Sequence, residues 1–461
     1  MRKMIKMKLA KEEHDFSHGS VVKNIWSLAV PMTLAQLANV LYNIVDRIYI
    51  GMIPENATLS MTGLGLCLPI ISMVIAFANL YGTGGAPLCS IERGRGNLRK
   101  AENIMGNSFT LMVATGVLFT VFGLLFKRPL LYLFGASDQT FPFADAYITI
   151  YLLGSVFVMM GLGMNSFINS QGFGRIGMQT VFLGAVANII LDPIFIFGLH
   201  MGVQGAALAT IVSQTVSAVW VLSFLCGKKS ILRVRKENLK IKKAVLVPVL
   251  ALGASPFIMQ ATECLVQLTY NSGMQHYGND YYVGAMTILT SVMQFAMLPL
   301  QGIAQGAQPI SSYNYGAKNA DRVKKTFRLL LITCLSYSVL LWAAVQLVPR
   351  VFVSIFTADT SLIEFTAPML KIYLGGLFLF GIQIACQMTF TSLGKAVNSI
   401  IVAVVRKFVL LIPLIYIMPH MISDSTTGVY MAEPIADITA VIFTSVLFTF
   451  QFKKALAEIQ N

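Results

Sequence analysis

The chain has 461 residues, 56% of them hydrophobic and 12% charged, with a mean hydropathy of +0.71 and a formal net charge of +14. A soluble globular domain carries about 25% charged residues, so the composition excludes one and points to an integral membrane protein. The positive excess does not require nucleic acid, because attraction to anionic lipid headgroups accounts for the same charges.

Twelve apolar stretches of spanning length are predicted, each near the ~20 residues that a bilayer core demands. In chain order they cover 24–50, 62–86, 104–126, 144–168, 178–199, 204–226, 247–272, 283–310, 327–348, 368–392, 396–418 and 428–451. Backbone polar groups cannot stay open in lipid, so each stretch is read as a helix. The expected fold class is all-α integral membrane, with twelve transmembrane helices in two homologous six-helix lobes. The expected divisions are an N-terminal segment 1–23, an N-lobe 24–226, a basic inter-lobe loop 227–246, a C-lobe 247–451 and a tail 452–461.

Lys and Arg alternate from loop to loop. They crowd the N-terminal segment (Arg2, Lys3, Lys6, Lys8, Lys11, Lys23) and the loop after span 2 (Arg93, Arg95, Arg99, Lys100). They recur over Lys228–Lys243 and after span 8 (Lys318, Arg322, Lys324, Lys325, Arg328), whereas the alternate loops offer little beyond Lys127, Arg128 and Arg350. The positive-inside rule makes the basic loops and both termini cytoplasmic, in a multi-pass protein of the cell membrane. Residues 1–20 lack the apolar core of a cleavable signal.

The ends of spans 2 and 8 repeat one another. Gly84–Arg99 and Gly306–Asp321, 222 residues apart, match at Gly84/Gly306, Pro87/Pro309, Ser90/Ser312, Gly94/Gly316 and Asn97/Asn319. A shift of about half the chain means two homologous halves, and in a membrane chain such a duplication marks a transporter with its site between them.

Polar groups inside the spans carry the functional information. Gln36, Asn39, Asn43 and Asp46 share one face of span 1. An Asp at membrane depth costs ~2.5–3.5 kcal/mol on insertion scales and usually faces a cavity or a partner. The plainer reading is that Asp46 stands near a helix end and pairs with Arg47 or sits at the interface; the polar stripe leading to it favours a lined cavity. Asn188 and Asp192 stack on one face of span 5, followed by Pro193, and Thr210 stands in span 6 after the small-residue run GVQGAALAT. Such oxygens suit Na⁺, and the carboxylates can equally carry protons. Interhelical hydrogen bonding is the plainer reading of Asn188 and Thr210 taken alone. Span 7 repeats the stripe with Gln260, Glu263, Gln267 and Asn271; aligning Pro31 with Pro256 puts Asn271 at the place of Asp46. Arg406, Glu433 and Asp437 fall in spans 11 and 12. The plain reading is a buried Arg406–carboxylate pair that holds the lobe together; the sharper one has Glu263 facing the central cavity and drawing in a cationic substrate.

Other features are quiet. Core packing explains the six cysteines, and no Cys/His spacing suggests a structural metal. Gly82, Gly84 and Gly85 end a membrane helix with no strand before them and no Lys-Ser/Thr after, which excludes a phosphate loop. Met286, Met293 and Met297 share a helical face suited to packing or to an adaptable cavity wall.

The segments VPMTLAQLANVLYNIVDRIYIG (30–51), NIILDPIFIFGLHMGVQGAALAT (188–210) and QGAQPISSYNYGAKNADRVKK (305–325) resemble signatures of the multidrug and toxic compound extrusion (MATE) family, bacterial type. The resemblance implies two six-helix lobes related by a pseudo-two-fold along the membrane normal. It further implies export of hydrophobic organic cations, drugs or toxins against inward H⁺ or Na⁺. Carried over residue by residue, the coupling site is Asp46, Asn188, Asp192 and Thr210, with Na⁺ as the one metal ion it would take, and Pro31 is the bend of span 1. A helix-7 glutamate of some members matches Glu263, whereas the helix-10 carboxylate of those members has no counterpart.

The expected function is therefore secondary antiport by alternating access, not enzymatic, with no cofactor beyond the coupling ion. The expected partners are small cationic drugs and membrane lipid, and the expected state is a monomer. A lipid-linked oligosaccharide flippase of related architecture is the main rival. It would place several cations in the central cavity, and here Arg406 is the clear exception among mainly acidic intramembrane charges. A prenyl transferase would need DDxxD motifs that the chain lacks. A channel would not explain a duplication joined to acidic groups in one lobe.

Overall fold

The computed structural model describes residues 16–53 and 57–460, apart from the side chains of Cys264 and Asp280. The N-terminal cations Arg2, Lys3, Lys6, Lys8 and Lys11, and both extreme termini, lie outside the described residues. The first three spans are α1 (Val21–Gly51), α2 (Ala57–Gly94) and α3 (Leu98–Leu133). Span 4 is a bent pair, α4 (Phe141–Leu153) and α5 (Ser155–Ser170), meeting at 57°. Span 5 is α6 (Gly174–Pro193), which runs on into a π-helical turn, Ile194–Gly198, and span 6 is α7 (Gly202–Cys226). The second half follows with α8 (Lys243–Tyr277), α9 (Asp280–Gly316), α10 (Ala320–Leu347) and the short α11 (Pro349–Ser354). Span 10 is α12 (Thr360–Tyr373) and α13 (Leu377–Ser392), bent by 51°. Span 11 is α14 (Ala396–Val404), a π-helical segment Val405–Leu411 and α15 (Ile412–Met421); span 12 is α16 (Ser425–Gln460).

Among the described residues ten helices are long and apolar enough to cross a membrane, and each bent pair counted as one span makes twelve. Most helices overrun their apolar windows, because hydrogen bonding does not stop at the hydrocarbon edge and caps decide the ends. Asn97 and Asn319, at equivalent places in the two halves, accept hydrogen bonds from the Lys100 and Arg322 amides and start α3 and α10.

Two single-helix expectations are corrected. Hydropathy runs unbroken through 144–168 and 368–392, yet both spans break. At Gly154 the side chain of Ile211 occupies the place a Cβ would take, and at Gly376 the backbone of Pro434 crowds the same position. Each bend falls at a glycine packed close against another helix rather than at a polar interruption, so hydropathy does not register it. Gly154 and Gly376 are themselves one repeat apart.

The duplication is also written in the hydrogen bonds. The Ser90 hydroxyl donates to the Ser170 carbonyl, and 222 residues on the Ser312 hydroxyl donates to the Ser392 carbonyl. The two halves meet reciprocally as well. A Cβ at Gly94 would strike the Tyr313 carbonyl, and one at Gly316 would strike the carbonyl of Ile91. Likewise Gly84 lies against Val249 and Gly253 of α8, while Gly306 lies against Ala29 of α1. Spans 1 and 7 thus begin in the opposite half. Val21, Ile25 and Leu28 join the hydrophobic core of the C-lobe, and Val245 and Val249 join that of the N-lobe.

All these contacts sit at one end, where the basic loops gather. There Gln171 accepts from Ser230 and Leu232, Asn107 bonds the backbone of Asn238, Lys240 and Lys242, and Lys395 pairs with Glu458. The inter-lobe loop is strapped to α3 and the α5–α6 turn rather than hanging free. Side chains such as Leu125, Leu340, Leu347 and Phe450 stay exposed, as helices in lipid require.

Packing settles the smaller expectations. Met286 and Met297 are buried and Met293 is partly buried against the C-lobe core, which fits the packing reading of this face. Cys67, Cys89, Cys334 and Cys386 are buried, but Cys226 is exposed at the end of α7, against the core reading of every cysteine.

Candidate functional site

Three helices of the N-lobe bring the polar residues together. α1 packs against α6, and α6 against α7. At Gly184, one turn before Asn188, a Cβ would strike the Ser217 hydroxyl. Small residues at this crossing therefore let the helices close up and hold their polar faces in register. After Asp192 the ladder changes: Pro193 cannot donate to the Ile189 carbonyl, and the chain continues as a π-helical turn.

Asp192 is fully buried, Asn188 is 2% exposed and Asp46 8% exposed. The Asn188 Nδ2 donates to Asp192 Oδ1 at 3.2 Å. Asp46 Oδ1, Asp192 Oδ2, Asn188 Oδ1 and the Ser213 hydroxyl are buried without a hydrogen-bond partner. Asp46 acts electrostatically on Asp192, Tyr42 and Tyr147, and the Tyr147 hydroxyl lies beside Thr210. The four carried-over residues therefore do converge.

A narrow cavity of about 30 Å³, room for little more than a water or an ion, runs beside them, lined by Asn39, Tyr42, Asn188, Thr210, Ser213 and Gln214 among others, with no charged side chain in its wall. Asp46 and Asp192 stand one turn beyond Tyr42 and Asn188 on their helices. A buried unsatisfied oxygen costs about 1–3 kcal/mol, and more when ionised. The exposed Arg47 acts on Asp46, but no basic side chain acts on Asp192, so the two carboxylates and the amide oxygen favour a bound cation or a proton.

The rest of the α1 stripe opens outward. Between Met32 and Asp46 none of its residues is buried; Gln36 and Asn39 are half-buried, and Asn43 is exposed with its Nδ2 donating to the Asn39 carbonyl. Pro31 is buried, and α1 passes through it as one helix from Val21 to Gly51. Tyr42 and Ser213 are members that the sequence reading missed. Their signal was spacing, one turn before Asp46 and nearly one after Thr210.

The C-lobe carries a different arrangement. Arg406 reaches Asp437 at 2.8 Å and Glu433 at 3.0 Å, with its guanidinium 4.6 Å from the centre of the Phe380 ring. The Tyr270 hydroxyl donates to the other Glu433 oxygen at 2.7 Å. Arg406 is not the lone intramembrane cation, however. Lys407, equally buried, pairs with Glu263 at 3.0 Å. This corrects the picture of Arg406 as the clear exception among the intramembrane charges, and it gives Glu263 a cationic partner within the lobe. On the same helix Gln260 and Asn271 are half-buried and Gln267 is exposed. Asn271, matched to Asp46 by aligning Pro31 with Pro256, brings no second carboxylate.

The family model MatE matches residues 31–194 and 256–417, one copy in each half. The chain is 26% identical over 441 residues to the "Multidrug export protein MepA" of Staphylococcus haemolyticus (strain JCSC1435), covering 96% of both chains. Among solved structures, MATE in a bent conformation superposes with a TM-score of 0.90 at 21% identity, covering 99% of each chain. An outward-facing multidrug resistance MATE transporter gives 0.89 at 21% identity, covering 99% of this chain and 98% of that one. The matched repeats, the full-length similarity and the shared twelve-span, two-lobe fold agree: the chain belongs to the MATE family of multidrug export transporters and is not an enzyme.

Proposed function

We propose that the protein is a secondary antiporter that exports hydrophobic organic cations in exchange for H⁺ or Na⁺ by alternating access. One observation carries this reading: Asp46 and Asp192 are both buried, each with an unpartnered oxygen, they act on one another electrostatically, and no basic side chain acts on Asp192. Such a pair needs a cation or protons to be stable, and Asn188 and Thr210 supply further oxygens.

In this reading the basic end faces the cytoplasm of a cell-membrane protein, and the lobes close there on the paired glycines of α2 and α9. The closed end makes this the outward-facing state, with the α1 stripe lining the cleft. Binding of the driving ion at Asp46 and Asp192 rearranges α1 around Pro31 and lowers affinity for the exported cation. The coupling is reciprocal, since each ligand must weaken the other by the same factor. The flippase alternative loses support because Arg406 and Lys407 are already neutralised by Glu433, Asp437 and Glu263.

The test is transport of a fluorescent organic cation in proteoliposomes under separately imposed Na⁺ and pH gradients. One of the two gradients should drive export in the wild type and in neither Asp46→Asn nor Asp192→Asn. Export that ignores both gradients would overturn antiport.

A further inference from the structure

At the basic end a second, larger cavity of about 290 Å³ lies between the halves, at the small end of ligand sites, which run upward from ~300 Å³. Its floor is apolar: Leu88, Ile91 and Ile104 from the N-lobe, Val245 and Pro248 from α8, and Leu393 from the turn after α13. Its rim carries Arg95, Lys100 and Lys395, with Glu92 as the one lining carboxylate. Glu92 is buried and its single Oε1 already holds both Arg95 at 2.7 Å and Lys100 at 2.9 Å. Lys395 is held by Glu458. Three cations thus share two carboxylates, and one positive charge is left over. The Arg95 and Lys100 side chains are about half exposed, so their heads can turn toward a ligand.

The duplication supplies an internal comparison. Moving 222 residues along the chain turns Ile91 into Tyr313, Glu92 into Asn314 and Lys100 into Arg322. That twin crevice is filled by the chain itself. The Phe16 ring packs edge-on against Tyr313 beneath the Arg93 guanidinium, Asn314 donates to the Phe16 carbonyl, and Arg322 donates to the carbonyls of His18 and Gly19. The segment before span 7 takes no such path, because Asn238–Lys242 is tied to Asn107 on α3.

We infer that this inter-lobe cavity binds an anionic phospholipid of the surrounding leaflet, its acyl chain on the Leu88–Ile104–Val245 floor and its phosphate among Arg95, Lys100 and Lys395. An apolar group beneath cations is the filling that the twin crevice already has, and the surplus charge selects an anionic headgroup over a zwitterionic one. Because the walls come from both halves, the lipid stabilises the state in which the basic end is closed, as any ligand of one conformation must.

The test uses the full chain purified into detergent and exposed to vesicles of phosphatidylglycerol, of phosphatidylcholine, or to inorganic phosphate. Retained lipid is read by native mass spectrometry. Phosphatidylglycerol should be retained at least tenfold over phosphatidylcholine, and the R95Q/K100Q/K395Q variant should lose that preference. The K229Q/K236Q/K325Q variant, which removes as much charge from exposed positions, should keep it. Ala244→Trp, at the exposed rim, blocks the cavity without touching a charge and should also abolish retention. Equal retention of the two lipids, full retention in the Ala244→Trp variant, or inorganic phosphate displacing the lipid outright would each overturn the assignment.

Discussion

Lys407 holds its ammonium 3.0 Å from the Glu263 carboxylate, joining the π-helical segment of span 11 to span 7. The two partners differ in burial: the Lys407 side chain is 7% exposed and that of Glu263 is 48% exposed. Removing the carboxylate strands a buried ammonium, whereas removing the ammonium leaves a carboxylate that is half open. Glu263→Gln should therefore cost about 2 kcal/mol of stability and Lys407→Met less than about 1 kcal/mol. Thermal unfolding of both variants checks the order. Equal losses would show that the pair is not what holds this contact.

Arg406 is the keystone of the C-lobe charges, because its loss exposes Glu433 and Asp437 to each other in a buried site. Arg406→Gln should cost about 3–5 kcal/mol and reduce folded yield. Asp437→Asn, which keeps the Glu433 pair and the Tyr270 hydrogen bond, should cost no more than about half of that. The measurement is monodisperse protein recovered after extraction, together with its unfolding midpoint.

Asp192 should behave in the opposite way. No basic group compensates it, so Asp192→Asn removes a buried charge rather than half of a pair. Its stability should stay within about 1 kcal/mol of wild type or rise, while transport is lost. A variant that lost both together would mark Asp192 as structural.

Gly316 tests how the halves close. A Cβ there meets the Ile91 carbonyl, whereas Gly284 in the same helix has open space beside it. Gly316→Ala should force the basic end apart and raise the labelling of a cysteine placed at the fully buried Ala29, in a Cys226→Ser background. Gly284→Ala should leave labelling unchanged.

Lys318 has φ 57° at the place where the first half has Gly96 with φ 77°. The left-handed conformation costs a side-chain-bearing residue about 1–2 kcal/mol that glycine does not incur. Lys318→Gly should raise the unfolding midpoint, and Gly96→Ala should lower it. No shift in either would mean that the turn relaxes at no cost.

Much of this molecule was legible in advance because lipid imposes simple rules. Span number, the duplication and the convergence of Asp46, Asn188, Asp192 and Thr210 followed from hydropathy, spacing and resemblance. What escaped were features set by neighbours rather than by local composition. The breaks at Gly154 and Gly376 lie in unbroken apolar sequence, at glycines packed close against another helix, and apolar composition does not register such a break. Lys407 was overlooked beside Arg406; one residue turns a helix by about 100°, so adjacent cations reach different partners. Phe16 sits in a polar run, and nothing local marks it as the ring that fills a crevice between the halves.

The glycine contacts at the basic end have one further consequence. Where Gly94, Gly316, Gly84 and Gly306 meet the other half, backbone lies close against the neighbouring helix, and around those contacts Ile91 of the first half packs with Tyr315 and Leu393 of the second. The joint is part bearing and part clasp: the glycines let the halves come close, and the apolar side chains around them must be uncovered when it parts. About 5.5 kcal/mol of differential binding carries a two-state population from 1:99 to 99:1, and the uncovered area sets where that balance starts.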